Sequence, residues 1–137
     1  MPIQLSSIRW VRVIVTAVLV CILIFALLFV VVTVYATLLG FQARGAPDPV
    51  QISQFANQVG PWAGPIIAIL LTLLAGIWLG RREGAAGPTN GLAMGVLAAL
   101  LKWAIGFSFS LPALATLVLT AAAGWAGGRM GGNMRRA

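Results

Sequence analysis

Apolar positions along this chain fall into four runs separated by short polar breaks. The first run, residues 13–39, holds only Thr16, Thr33, Tyr35 and Thr37 as mildly polar members. At ~1.5 Å per residue it predicts a helix of roughly 40 Å, longer than a hydrocarbon core of about 30 Å, so it must tilt or project beyond the bilayer. The second run covers 61–79, the third 91–107 and the fourth 111–128, each near the minimum for a span. Trp62 opens the second run, while Trp78 and Trp125 close the second and fourth, the interfacial placement that indole rings prefer. Ser108, Phe109 and Ser110 break the pattern before Pro112, which falls in a first turn where proline is tolerated, so the third and fourth runs read as a tight helical hairpin. Arg9 and Arg12 precede the first run as a signal peptide's basic residues would. The run exceeds the ~7–15 residues of a cleavable apolar core and lacks a small-x-small site, so an uncleaved anchor is expected.

The segment between the first two runs, 41–60, is the longest polar stretch. Asp48 and Pro49 supply an N-cap and a proline at the first helical position. Beyond them Ile52, Phe55, Ala56 and Val59 recur at helical spacing, with Gln51, Gln54, Asn57 and Gln58 on the opposite face. This pattern fits a short helix lying on the outer membrane surface; an irregular polar loop is the alternative.

Composition turns these runs into a fold class. A chain that is 61% hydrophobic and 8% charged cannot cover one core with a wettable surface, so the expectation is a single all-α integral membrane domain, a four-helix bundle over residues 1–137, with the bilayer as its first partner. The net charge of +7 does not imply nucleic acid, since the basic residues sit at the ends of apolar runs rather than on a water-facing stripe. Arg9, Arg12, Arg81, Arg82, Arg129, Arg135 and Arg136 all fall on one side, and only Arg44, offset by Asp48, falls on the other. The positive-inside rule then predicts cytoplasmic termini.

Small residues recur every fourth position through Gly60, Gly64, Ala68, Thr72, Gly76, Gly80 and Gly84 in the second run. Similar stripes pass through Gly87, Gly91, Gly95 and Ala99, and through Thr116, Thr120, Gly124, Gly128 and Gly132. Such spacing lets helix backbones approach closely in lipid, where association depends on van der Waals contact. The stripes serve either packing within the chain or contact with a second protein. Sliding the chain by 48 positions lays Leu71, Thr72, Ala75, Gly76, Gly80, Arg81 and Gly84 on Leu119, Thr120, Ala123, Gly124, Gly128, Arg129 and Gly132. That match suggests two tandem helical pairs related by an axis along the membrane normal; low complexity in glycine and alanine is the competing explanation. The segments 73–84, 91–97, 123–128 and 131–133 resemble small four-span bacterial membrane proteins of uncharacterised function, a glycine-rich Gly-x-x-x-Gly-Arg-Arg type. The resemblance implies a bacterial inner-membrane location and a compact four-helix body, and no activity.

Candidate chemistry is sparse. Cys21 is the single cysteine, there is no histidine, and the carboxylates are Asp48 and Glu83, so neither a metal site, a cofactor site nor an acid–base pair is expected. Glu83 beside Arg81 and Arg82 reads as relief of local charge. Arg81, Arg82 and Arg129 read as topology anchors, or as a headgroup-binding patch built by the repeated Gly-Arg ends. Lys102 is the one charge within a span. It reaches the outer headgroups, bonds loop carbonyls or serves a transport path. The leading functional expectation is a non-enzymatic component acting through helix packing, an accessory subunit or a self-associating body. A small transporter or pore with an anion path near Lys102 and a lysis-type pore former are the alternatives.

Overall fold

A computed structural model of the chain describes residues 8–106 and 111–134. Among them are four α-helices, one 3-10 turn and no strand: α1 (Trp10–Ala43), α2 (Pro49–Glu83), the turn Gly84–Ala86, α3 (Gly87–Gly106) and α4 (Leu111–Met134). Two helical stretches, Trp10–Ala43 and Pro49–Ile105, are long and apolar enough to cross a membrane. The expected break at 108–110 and the arginines Arg135 and Arg136 lie outside the described residues.

α1 ends where Arg44 takes a left-handed conformation, φ 51°, with its N–H turned back to the Gly40 and Phe41 carbonyls. α2 begins as its sequence requires, with the Asp48 carboxylate accepting from the Val50 N–H at 2.9 Å and Pro49 in the first turn. The helix expected in the outer loop therefore forms, but not as a separate surface element. It is the opening of α2, which continues through Pro61 and Pro65 to Glu83. α1 supplies the reason, because it offers those first turns an apolar wall: Tyr35 stacks on Phe55 with centroids 3.8 Å apart, and Ile52, Ala56 and Val59 are half-buried while Gln51, Gln54, Asn57 and Gln58 stay exposed. α2 ends at Gly84, whose φ of 58° suits a residue without Cβ.

Glycine contacts fix the directions of the other helices. A Cβ built on Gly76 would lie 2.7 Å from the Gly124 carbonyl, and one on Gly80 would collide with the Gly128 carbonyl, so α2 and α4 run parallel. Gly87 meets Gly128, Gly91 meets Gly124, and Gly95 meets Thr120, so α3 runs antiparallel to α4. Gly127 and Gly131 open a second bare face of α4 toward the Leu73 and Ile77 carbonyls of α2. α4 thus shares one glycine seam with two neighbours. α1 packs on α2 and α3, burying Val13, Ala17, Val20 and Ile24 against a core that includes Ala68, Leu79, Met94 and Ala98. Its outward face, with Phe29 73% exposed, meets no other helix among the described residues.

Candidate functional site

The seam is tightest at the end carrying Arg12, Arg81 and Arg129 and gives way toward the opposite, hairpin end, where α2 carries Pro61 and Pro65 and α4 carries Pro112 and Thr116. There a cavity of about 430 Å³ opens between α2, α3 and α4, with Ile24 of α1 contributing to its wall. Its deeper part is bounded by Ala68, Ala98 and Thr120. The Thr120 hydroxyl donates to the Thr116 carbonyl at 2.7 Å, and the Thr116 hydroxyl to the Pro112 carbonyl at 2.8 Å, so the α4 wall has turned its polar hydrogens back on its own helix.

Lys102 lines this cavity, with Trp103 beside it. Its stem is half-buried, and its Nζ lies 3.8 Å from the point where a Gly64 side chain would begin. Among the described residues no carboxylate or carbonyl is within bonding reach of the ammonium. Pro65 has no N–H to give to the Pro61 carbonyl, which leaves an acceptor on the α2 side of the same space. Two turns further along α2, the Thr72 hydroxyl is fully buried and, among the described residues, without a hydrogen-bond partner.

The structure divides the sequence stripe on α2. Gly76 and Gly80, together with Gly91, Gly95, Gly124 and Gly128, abut backbone of another helix. Ala68, Thr72 and Thr120 are buried between helices, and the Gly84 carbonyl faces Gly132. Among the described residues, a Cβ on Gly64 would instead face only the Leu28 and Lys102 side chains at 3.8 Å, and one on Gly60 would meet nothing within 4 Å beyond its chain neighbours. Four-residue spacing alone cannot tell a backbone seam from a cavity wall.

At the arginine end lies a second polar constellation that the sequence did not reveal. The Glu83 side chain is 2% exposed; Oε1 lies 3.1 Å from Arg12 Nη1, and Oε2 lies 3.8 Å from Arg9 Nε and accepts from Asn90 Nδ2 at 2.6 Å. Asn90 is itself fully buried, its Oδ1 accepting from the Arg9 N–H at 3.3 Å. Burial of the carboxylate is compensated by charge and by hydrogen bonds on both oxygens, as a low-polarity site requires. The cluster ties the start of α1 to the α2–α3 turn. Its only trace in the sequence is that Asn90 is an amide near the start of an otherwise apolar third run. The remaining anchors are exposed: Arg82 lies over the Trp78 ring at 4.5 Å, Arg129 over Trp125 at 5.4 Å, and Arg81 approaches the Met134 sulfur at 3.1 Å.

No protein-family model, no curated protein and no solved structure matches this chain.

Proposed function

We propose that the chain is a four-span protein of a bacterial cytoplasmic membrane, with both termini cytoplasmic, that works without catalysis as an accessory subunit docking on another membrane protein through the hairpin end of α1. The arginines Arg9, Arg12, Arg81, Arg82 and Arg129 share one end of the helices, which supports the orientation. The in-register meeting of Gly76 with Gly124 and Gly80 with Gly128 supports two related helical pairs.

One observation carries the docking role. Leu28, Gly64 and Lys102 lie at one level. From there the length of α1 decides: it runs 34 residues, about 51 Å, and so exceeds a hydrocarbon layer of about 30 Å by about 20 Å. With Arg9 and Arg12 at the cytoplasmic head groups, the far end of α1 carries exposed Val34, Leu38 and Phe41 beyond that layer. Apolar area in that position gains from protein cover. From Gly76 to Gly80 on α2, and through Gly91, Gly95, Gly124 and Gly128, the glycine stripes are already occupied within the chain.

A photoreactive residue at Leu38, with one at Val118 on α4 as control, tests this in intact membranes. Adducts to a heterologous membrane protein from Leu38 and not from Val118 are expected. An adduct of twice the chain's mass would replace the accessory role with self-association, and the absence of any adduct would remove the docking role. The cavity at Lys102 favours a second reading, anion transport, for which ion flux in liposomes abolished by Lys102→Met is the test.

A further inference from the structure

We infer that the cavity around Lys102 is a binding site for a single-chain anionic amphiphile, its acidic head on the Lys102 ammonium and its tail along the apolar wall. The inference is independent of any protein partner. Three features of the space select this chemistry over others. Its volume, about 430 Å³, lies within the range of sites that enclose small molecules, and its walls are mostly apolar: Ile24, Ala68, Ala98 and Leu117. It holds one cation for which the described residues provide no counter-charge, and an ammonium in such surroundings is costly unless an anion meets it. The α4 hydroxyls are already bonded within their own helix, so the wall below the ammonium offers little to a polar ligand and suits an alkyl chain.

The placement also accounts for how such a ligand would enter. Lys102 lies toward the end of the helices opposite the arginines, with Pro61 and Pro65 of α2 and Pro112 of α4 lining the same space. From there to Ala68 and Thr120 the cavity continues inward, and the glycine seam that begins at Gly95 and Gly76 closes it. A head group at Lys102 with its chain pointing inward thus follows the orientation of a lipid in the leaflet. A free anion would fill the head position and leave the apolar part of the space empty.

The test uses the full chain purified in an uncharged maltoside detergent. The probe is dodecyl phosphate, with inorganic phosphate and dodecyltrimethylammonium as controls, and bound stoichiometry is read by native mass spectrometry. One dodecyl phosphate per chain is expected, with neither control retained. Lys102→Met should weaken retention about tenfold or more, the scale of a lost charge-assisted hydrogen bond, and Lys102→Arg should restore most of it. Thr116→Phe should displace the probe by filling the space while leaving the cation in place. Thermal melting identifies any variant that fails to fold, and Lys102→Met, which removes a charge from apolar surroundings, is expected to fold. Equal retention of inorganic phosphate would reduce the site to a free-anion site. Equal retention of dodecyltrimethylammonium, or unchanged dodecyl phosphate binding in Lys102→Met, would overturn the proposal.

Discussion

Alanine at Gly76 and alanine at Gly60 are the same chemical change on the same helix, and the structure gives them unequal effects. Replacing a mid-helix glycine by alanine relieves a backbone entropy cost of up to about 1 kcal/mol. At Gly60 no described atom beyond its chain neighbours lies within 4 Å of the added methyl, so part of that gain should appear, less what the ring of Pro61 takes from a preceding residue with a Cβ in a helix. At Gly76 the methyl would sit 2.7 Å from the Gly124 carbonyl oxygen and 3.2 Å from both Gly127 Cα and Gly128 N, where ordinary contact begins at 3.4 Å. The obstructing atoms are helix backbone, so relief requires α4 to move as a body until the 2.7 Å approach has opened to 3.4 Å. Overpacking of that kind costs about 1–3 kcal/mol, which exceeds the propensity gain and leaves Gly76→Ala less stable by up to about 2 kcal/mol. Thermal unfolding in maltoside, followed by tryptophan fluorescence, should show Gly76→Ala melting a few degrees below the parent and Gly60→Ala close to it. A stabilised Gly76→Ala, or a loss at Gly76 no larger than at Gly60, would refute the seam.

Glu83→Gln should destabilise by about 1–2 kcal/mol, less than for a fully buried pair because Arg12 and Arg9 remain 49% and 63% exposed to solvent screening; a double-mutant cycle with Arg12→Ala should return a coupling near 1 kcal/mol, and zero coupling would remove the pairing. Thr72→Val keeps the side-chain shape and deletes an unpartnered hydroxyl, so it should raise stability by about 1 kcal/mol in the same melting assay, and a loss would mean that the hydroxyl has a partner. With Cys21 replaced by serine, single cysteines at Gln54 and Asn133 should react with a membrane-impermeant maleimide from opposite faces of the membrane; reaction of both from one face would overturn the proposed topology.

The sequence made the helices legible because apolar runs of span length tolerate few other conformations, and the start of α2 at Asp48 followed from cap and proline chemistry. It placed the first turns of α2 on the correct residues but missed their continuity with the second run. Polar Gln51, Gln54, Asn57 and Gln58 broke the hydropathy there, while the helical hydrogen-bond ladder carried on beneath them with α1 as its apolar support. At the candidate sites, Lys102 was conspicuous as the one charge inside a run, yet the cavity around it depends on α4 standing apart from α2 beyond Thr120, which no local pattern encodes. Glu83 and Asn90 were hidden for a related reason. Their meeting with Arg9 and Arg12 spans more than seventy positions, and each taken alone resembles a solvated residue at a helix end.

The placement of α4 between two glycine faces bears on how the protein is made. During synthesis α1, α2 and α3 emerge first, and for that interval Gly76, Gly80, Gly87 and Gly91 lack the surface they are shaped to meet. Only when residues 111–134 arrive do both faces acquire their partner, in a single event, because the same stretch of α4 supplies each. A chain stopped before residue 111 would therefore leave the ribosome with two helices that have matching hollows and nothing to fill them.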